Sequence, residues 1–407
     1  MARETEVLVV GGGATGSSVA RDLALRGLDV TLVDRGPLAD GTSGRSHGLL
    51  HSGARYAESD PEGAAECLAE NRSIRAVAGE CVRDTGGLFV QVSADDADYF
   101  AEKRAACEDA GIPVETVDPE DARDRVPGLS EDVERVLAVP DAVVYPSRLV
   151  AATAADARDH GASVHTDAPV EAVQTAGGQV TGVDVGGTVD DRIEAEHVVN
   201  ATGAWAETLA EMAGVDVPMR PTRGVMVSVD YDRVEPVLNR CRAPDDGDIV
   251  VPHESEAVLG TTSVPVDDPD DYETGDWEVE RSREECAAML PPVADADVVR
   301  TWWGVRPLFG PDEAEHGGRG ISRGFFLHDH ADEGVAGMAS IVGGKLTTCR
   351  LMAEATADHV CERLGVDADC ETADRPLPGA DDPERLDSLV DEFGGSGPTD
   401  ADVVGSD

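Results

Sequence analysis

Residues 7–16 of this chain, Val7-Leu8-Val9-Val10-Gly11-Gly12-Gly13-Ala14-Thr15-Gly16, decide its fold. The four apolar residues predict a buried strand, and the glycines that follow are spaced G-x-G-x-x-G ahead of a helical stretch, residues 17–26. A second apolar run, residues 30–33, ends at Asp34. Strand, glycine turn, helix, strand and acid in this order predict a βαβ unit that binds a dinucleotide.

Each residue of this pattern has a physical task. Gly11 permits the tight turn, Gly13 lets the backbone approach a pyrophosphate, and Gly16 lets the helix pack closely on the strand. The N–H groups at the helix start attract the phosphates, and Asp34 is placed to accept hydrogen bonds from a ribose. The alternative, an ordinary glycine turn, does not explain why strand, helix, strand and acid are all in register.

The next segment, residues 41–56, distinguishes between cofactors. It reads GTSGRSHGLLHSGARY and is small, polar and rich in glycine. A plain nicotinamide site would continue into its next βαβ unit instead. We therefore predict an extended loop that lies along a long cofactor such as FAD and delivers side chains to its reactive end.

Charge and length exclude several classes of protein. The 407 residues are too many for one compact core, so two domains are expected. The net charge of −49 is spread along the chain and repels nucleic acid and anionic lipid, which disfavours an RNA-modifying flavoenzyme. Because 41% of the residues are hydrophobic, we expect a folded protein with an acidic shell that works in concentrated salt.

Lysine is nearly absent from the sequence. Lys103 falls in a charged helical stretch, so a solvated surface position is expected for it. Lys345 lies in a glycine-rich loop before two threonines, which makes it a functional candidate, with a surface loop lysine as the alternative.

The eight cysteines include no C-x-x-C pair, which argues against an iron–sulfur or zinc site and favours free thiols in a reducing cytosol. The N-terminus runs directly into the first predicted strand, so no signal peptide is expected. No apolar run reaches the ~20 residues that span a bilayer, so no transmembrane segment is expected.

Further motifs extend from residue 5 to about residue 380, and together they are more specific than any one of them. They are Gly87-Leu88-Phe89, Asn200-Ala201-Thr202-Gly203, Asn239-Arg240-Cys241-Arg242, Leu259-Gly260-Thr261-Thr262-Ser263, Gly304-Val305-Arg306-Pro307-Leu308, Ser322-Arg323-Gly324 and Gly343-Gly344-Lys345-Leu346-Thr347-Thr348. With residues 41–56, this set resembles the FAD-dependent glycerol-3-phosphate dehydrogenases, most closely the catalytic A subunit of the anaerobic enzyme.

The expected fold class is α/β, with a Rossmann-type FAD-binding domain of the glutathione-reductase-like or D-amino-acid-oxidase-like kind. Alternating runs between residues 219 and 310 predict an interleaved α+β substrate domain with an antiparallel sheet. The domain boundaries expected are 1–86, 141–218 and 320–370 for the FAD-binding domain, 87–140 and 219–319 for the substrate or cap domain, and 371–407 for an acidic, poorly ordered tail. The resemblance also implies a cysteine-bearing C-terminal domain, which is not expected within residues 1–407.

The resemblance and the dinucleotide pattern together indicate the cofactor-binding residues. They are Gly11, Gly13, Ala14, Thr15, Gly16, Asp34, Arg35, Thr42, Ser43, Arg45, Ser46, His47, Gly48, Leu50, Ala201, Thr202, Gly203, Gly344, Lys345, Leu346 and Thr347. No metal is expected in this chain.

Three arginines are candidates for binding a phosphorylated substrate. Arg55, Arg306 and Arg323 each lie in a corner flanked by glycine or proline, and together they would offer bidentate hydrogen bonds to a dianion. The alternative is that each makes a structural ion pair. In the resembled family the matching arginines line the substrate site, and the resemblance implies that Lys345 lies near flavin or substrate. Tyr56, adjacent to Arg55, is a further candidate for a hydrogen bond to substrate.

The residue that takes the hydroxyl proton is less constrained. His47, His51, His328 and His330 are candidates, and His51 ranks first because it lies in the 41–56 loop. The aerobic relatives carry a histidine where this chain has Met226, so their base does not transfer.

The resemblance implies oxidation of sn-glycerol 3-phosphate to dihydroxyacetone phosphate by hydride transfer to flavin N5. It also implies iron–sulfur and membrane-anchor partner subunits, quinone as acceptor, and a cytoplasmic position at the inner face of the membrane. Two alternatives remain: an FAD-dependent 2-hydroxy-acid or amine dehydrogenase of the same fold, and a non-catalytic flavin-binding subunit.

Overall fold

The computed structural model describes residues 3–310 and 324–404. In chain order the strands are β1 (Arg3–Val10), β2 (Val30–Val33), β3 (Leu49–Leu50), β4 (Val82–Arg83), β5 (Gly87–Val92), β6 (Glu115–Val117), β7 (Val133–Val139), β8 (Ala142–Val144), β9 (Ser163–His165), β10 (Val170–Ala176), β11 (Gln179–Val185), β12 (Asp191–Asn200), β13 (Thr222–Val229), β14 (Val237–Arg240), β15 (Ile249–Pro252), β16 (Ala257–Gly260), β17 (Val264–Pro265), β18 (Val298–Arg306), β19 (Phe325–Asp329) and β20 (Met338–Gly343). The α-helices are α1 (Ala14–Leu25), α2 (Pro61–Ala78), α3 (Tyr99–Asp109), α4 (Pro119–Arg125), α5 (Pro146–Asp159), α6 (Ala206–Ala213), α7 (Asp276–Met289), α8 (Cys349–Leu364) and α9 (Pro383–Glu392).

The first sheet is built on parallel strands in the order β9-β2-β1-β12-β20. Strands β10 and β11 extend it antiparallel beyond β12, and β19 pairs antiparallel with β20. Val7, Leu8 and Val9 are fully buried, as expected for a parallel strand that is covered on both faces. The predicted βαβ unit is confirmed, because β1 and β2 pair with each other in parallel and α1 connects them.

The second sheet carries most of the predicted substrate domain. Strand β13 pairs antiparallel with β16, β17 and β18, which confirms the antiparallel arrangement expected from the alternating runs. Strands β5, β6 and β7 join the same sheet from an earlier part of the chain, and β14 pairs with β5 in parallel. A third, small sheet has the order β3-β8-β4.

The segment after residue 370 differs from its prediction. Instead of a poorly ordered tail, the structure shows α9, whose start is capped by the Asp382 carboxylate accepting from the Arg385 N–H at 3.1 Å. Leu386, Leu389 and Val390 recur at helical spacing and are buried in the core of the first domain. The prediction was wrong here because a high acidic content concealed this apolar stripe.

Within residues 3–310 and 324–404, no helix has both the length and the apolar character needed to cross a bilayer. All eight cysteines are free thiols, as their spacing predicted, and seven of them are buried. Burial raises the pKa of the Cys67 thiol to about 11, so this group is inert at neutral pH.

Candidate active site

A cavity of about 1020 Å³ lies where the glycine turn after β1 faces the end of β18. Ordinary small-molecule sites have volumes of about 300–1,000 Å³, so this one is large enough for a dinucleotide-sized cofactor. Its lining combines the glycine turn, the end of β2, the 41–56 loop, the corner after β12 and the residues that follow β20.

The glycine turn has the shape that a pyrophosphate requires. Gly11 has a φ of +110°, and a Cβ there would lie 2.5 Å from the carbonyl oxygen of Ala201. A Cβ on Gly16 would lie 1.8 Å from the carbonyl oxygen of Gly11, so Gly16 sets how closely α1 packs on the turn. Gly13, the residue just before α1, has no side chain to cap the helix, and the positive end of α1 is directed at the cavity.

Asp34 lies at the end of β2 and both shapes the turn and lines the cavity. One carboxylate oxygen accepts from the Gly12 N–H at 2.5 Å and the other from the Gly36 N–H at 2.8 Å. Burial raises the pKa of Asp34, and these two N–H donors oppose that shift. Because a carboxylate has about four acceptor sites, capacity remains for a ribose hydroxyl.

The 41–56 loop joins the two large sheets. The Ser43 hydroxyl accepts from the Ala14 N–H at 2.9 Å, at the start of α1. The Thr42 hydroxyl donates to the Val305 carbonyl at 2.6 Å, on β18. This loop therefore lies along the cavity, as predicted for a segment that follows a long cofactor.

Most of the predicted cofactor-binding residues line the cavity. Those that do are Gly11, Gly13, Ala14, Thr15, Asp34, Arg35, Thr42, Ser43, Arg45, Ser46, His47, Ala201, Thr202, Gly203, Gly344, Lys345 and Leu346. Four others, Gly16, Gly48, Leu50 and Thr347, are buried behind it. The Thr347 hydroxyl accepts from the His51 N–H at 3.0 Å, so it supports the lining from behind.

Four predicted catalytic residues also line this cavity: His51, Tyr56, Arg306 and Lys345. The Lys345 ammonium lies 4.6 Å from the centre of the Tyr56 ring. The Tyr56 hydroxyl lies 3.4 Å from Nε2 of His51. A cation, a phenol and an imidazole thus form one contiguous group, whose members come from the 41–56 loop and from the turn after β20.

Arg306 is held at the end of β18. Its Nη2 donates to the Thr261 hydroxyl at 3.1 Å and to the Thr262 carbonyl at 3.0 Å. The Thr262 hydroxyl in turn donates to the buried Glu278 at 2.7 Å. This network fixes the direction in which the guanidinium enters the cavity wall.

The structure does not bring Arg55 into the cavity lining. Its guanidinium donates to Asp248 at 2.7 Å, and the Asp248 side chain is only 1% exposed. Burial disfavours the charged form, yet the pKa of Arg55 is raised because Asp248 outweighs that cost. Arg55 therefore makes an ion pair, which was the alternative to a role in binding substrate. The third predicted arginine, Arg323, lies outside the described residues.

Two of the histidine candidates lie elsewhere. His330 is buried between Ser340 and Glu333, each 2.8 Å from one of its ring nitrogens. His328 packs against the ring of Phe309 with centroids 4.7 Å apart. Only His47 and His51 of the four candidates line the cavity.

Cavity residues that the sequence analysis did not single out include Trp205, Asp270 and Tyr272. The Arg35 guanidinium donates twice to Asp270, at 2.7 and 2.9 Å, and lies 4.2 Å from the centre of the Trp205 ring. The Trp205 indole donates to Asp270 at 2.8 Å. In sequence, Asp270 is one of many acids in a surface loop, so nothing distinguished it before the fold placed it opposite Arg35.

Comparisons with known proteins agree with this geometry. A family model described as FAD dependent oxidoreductase matches residues 6–358. The A1 subunit of the anaerobic glycerol-3-phosphate dehydrogenase of Haloferax volcanii is 50% identical over 97% of this chain and 70% of its own length. The corresponding A subunit of the Escherichia coli enzyme is 42% identical over 94% of this chain and 72% of its own length.

A solved structure is similar along almost the whole chain. It is the glycerol-3-phosphate dehydrogenase from Bacillus halodurans complexed with FAD, with a TM-score of 0.69 and 25% identity. The match covers 96% of this chain and 74% of that one.

Proposed function

This chain belongs to the FAD-dependent oxidoreductase family, and we propose that it oxidises sn-glycerol 3-phosphate to dihydroxyacetone phosphate. One observation carries the proposal: His51, Tyr56, Arg306 and Lys345 line the same cavity as the dinucleotide-binding turn. Two cations suit a phosphorylated substrate, and an imidazole suits the removal of a hydroxyl proton. The names of the two curated relatives support the same substrate.

FAD is the cofactor of this family, and the described residues fit it. The glycine turn would hold its pyrophosphate, Asp34 its adenosine ribose, and the 41–56 loop and the turn at Gly344 its remaining length. When bound, FAD supplies the acceptor for the hydride that leaves the carbinol carbon.

The chain's own residues then perform three tasks. Arg306 and Lys345 hold the phosphate and align the carbinol carbon, so the reaction becomes effectively unimolecular. His51 accepts the proton of the substrate hydroxyl, because its imidazole lines the cavity beside the Tyr56 hydroxyl. Tyr56 hydrogen-bonds the substrate oxygen and keeps it oriented toward His51.

We further propose that the electrons pass first to an iron–sulfur partner protein and then to quinone, at the inner face of the membrane. Both curated relatives are named as lettered subunits of an anaerobic dehydrogenase, which supports the existence of partner subunits.

The test is anaerobic bleaching of the bound flavin. Glycerol 3-phosphate should bleach it, whereas glycerol, lactate and 2-hydroxyglutarate should not. If a hydroxy acid or an amine bleaches the flavin more strongly than glycerol 3-phosphate does, the chain is instead a 2-hydroxy-acid or amine dehydrogenase. Absence of bleaching by any of these compounds would favour a non-catalytic flavin-binding subunit.

A further inference from the structure

The two lysines of this chain contact the same short segment, residues 54–58. Lys345 lies over the ring of Tyr56. Lys103 approaches from α3 and donates to the Ala54 carbonyl at 2.9 Å and to the Glu58 carboxylate at 2.6 Å. The sequence predicted a solvated Lys103, but only 1% of it is exposed, so that prediction was wrong.

Burying an ammonium is costly unless its donors are satisfied. Lys103 meets this condition with a carbonyl, a carboxylate and two aromatic faces. Its Nζ lies 4.9 Å from the centre of the Phe89 ring and 5.6 Å from that of Tyr99. Phe100 and Cys107 share the buried face of α3 with Lys103, whereas the other charged residues of this helix are exposed. Lys103 is therefore the one charged residue that α3 directs inward, and it acts as a specific anchor.

The anchored segment is a turn and not a helix or strand. The Tyr56 N–H donates to the Gly53 carbonyl at 2.9 Å, and the segment then leads to Asp60, which caps α2. Only one residue separates Ala54 from Tyr56, so the position of the Ala54 carbonyl sets where the Tyr56 ring lies between His51 and Lys345. Lys103 is therefore connected to the cavity through Tyr56.

We propose that Lys103 is a positioning residue that holds Tyr56 in the orientation needed for substrate oxidation. This inference rests on the proposed function, in which Tyr56 hydrogen-bonds the substrate oxygen. Arginine is not an equivalent, because its guanidinium is broad and planar whereas an ammonium is compact. A pure charge requirement at this position would be met by either.

The experiment compares Lys103→Met and Lys103→Arg with Arg104→Met, in the full chain with FAD bound. Arg104 is the matched control, since it pairs with Glu108 on the exposed face of the same helix. We expect Lys103→Met to slow flavin reduction by glycerol 3-phosphate at least tenfold, with FAD content and photoreduction unchanged. Lys103→Arg should recover only part of the rate, and Arg104→Met should match wild type.

Combination with Tyr56→Phe separates positioning from general stability. If Lys103 acts through Tyr56, the double variant should lose much less than the product of the two single losses. Fully multiplicative losses, or a wild-type rate in Lys103→Met, would overturn the inference.

Glu58→Gln covers the case in which Lys103→Met does not fold. This change weakens the same anchor at a partly exposed residue and should slow flavin reduction in a way that is also non-additive with Tyr56→Phe. A wild-type rate in this variant, or multiplicative losses, would again overturn the inference. If glycerol 3-phosphate fails to bleach the wild-type flavin, the proposed function itself fails, and the inference fails with it.

Discussion

The Lys345 ammonium lies 4.6 Å from the centre of the Tyr56 ring, although the two residues come from opposite ends of the chain. The Tyr56 hydroxyl is in turn 3.4 Å from His51. A cation over an aromatic face is stabilised by about 0.5–2 kcal/mol, depending on solvation. The contact thus joins the turn after β20 to the 41–56 loop at the cavity wall.

The first prediction tests this contact. Tyr56→Phe keeps the ring under Lys345 but removes the hydroxyl, whereas Lys345→Met keeps the hydroxyl but removes the cation. We expect each change to slow flavin reduction by glycerol 3-phosphate about tenfold or more, measured by anaerobic stopped flow. Wild-type rates in both variants would show that this group takes no part in the reaction.

The second prediction concerns Arg306. Arg306→Lys retains the charge but loses the planar guanidinium, whose Nη2 donates to Thr261 and Thr262. The kcat/KM for glycerol 3-phosphate should fall on the order of a hundredfold, with FAD content unchanged. The exposed Arg220 serves as the control, and Arg220→Lys should match wild type. Equal kcat/KM values in the two variants would contradict a role for Arg306 in holding the phosphate.

A third prediction concerns retention of the cofactor. Asp34→Asn removes a charged acceptor from the cavity while leaving one oxygen for the Gly12 or Gly36 N–H. We expect FAD binding to weaken by about 1.5–3 kcal/mol, read from the dissociation constant of the apoprotein. Asp40 also lines the cavity but does not bind the glycine turn, so Asp40→Asn should keep wild-type affinity. Similar losses in both variants would indicate a general charge effect.

The fourth prediction concerns pH and the C-terminal segment. Asp400 is fully buried at the start of α5, where it accepts from the Ser147 N–H at 2.9 Å. Burial raises its pKa to about 6, above its value in the unfolded chain. The folded state therefore holds this proton more tightly, and the contribution of Asp400 to the free energy of unfolding decreases as pH rises from about 4 to about 6.

Asp400→Asn should remove this pH dependence. From about pH 4 to about pH 6, the free energy of unfolding of Asp400→Asn should increase relative to that of wild type. The increase should be at most about 1.4 kcal/mol for each unit by which the pKa of Asp400 differs between the folded and unfolded chain, and it should stay constant above pH 6. Chemical denaturation of both proteins at several pH values measures it. A difference that stays constant from pH 4 to pH 7 would exclude a raised pKa.

A fifth prediction follows from the net charge of −49. Self-repulsion of an acidic surface is screened within about 3 Å at 1 M salt, compared with about 10 Å at 0.1 M. The melting temperature and the activity should therefore rise as potassium chloride is increased from dilute to molar concentration. An unchanged melting temperature over that range would count against adaptation to salt.

Local sequence determined the cofactor half of this protein. The strand, the glycine turn, α1 and the acid at the end of β2 interact with residues close in sequence, so period and spacing alone predict them. Alternating residues also predicted the strand conformation of β13, although its partners β16, β17 and β18 all lie further along the chain. These features depend on backbone geometry that a short segment already specifies.

The tertiary structure decided which polar residues face the cavity. Arg55 and Arg306 both lie in corners flanked by glycine or proline, so their sequence contexts do not distinguish them. In the fold, Arg55 pairs with Asp248, whereas Arg306 reaches the cavity wall. Lys103 was predicted to be solvated, and Asp270 was one acid among many. Their environments arise when segments distant in the chain meet, because burial and pairing of a charge depend on neighbours that only the folded chain supplies.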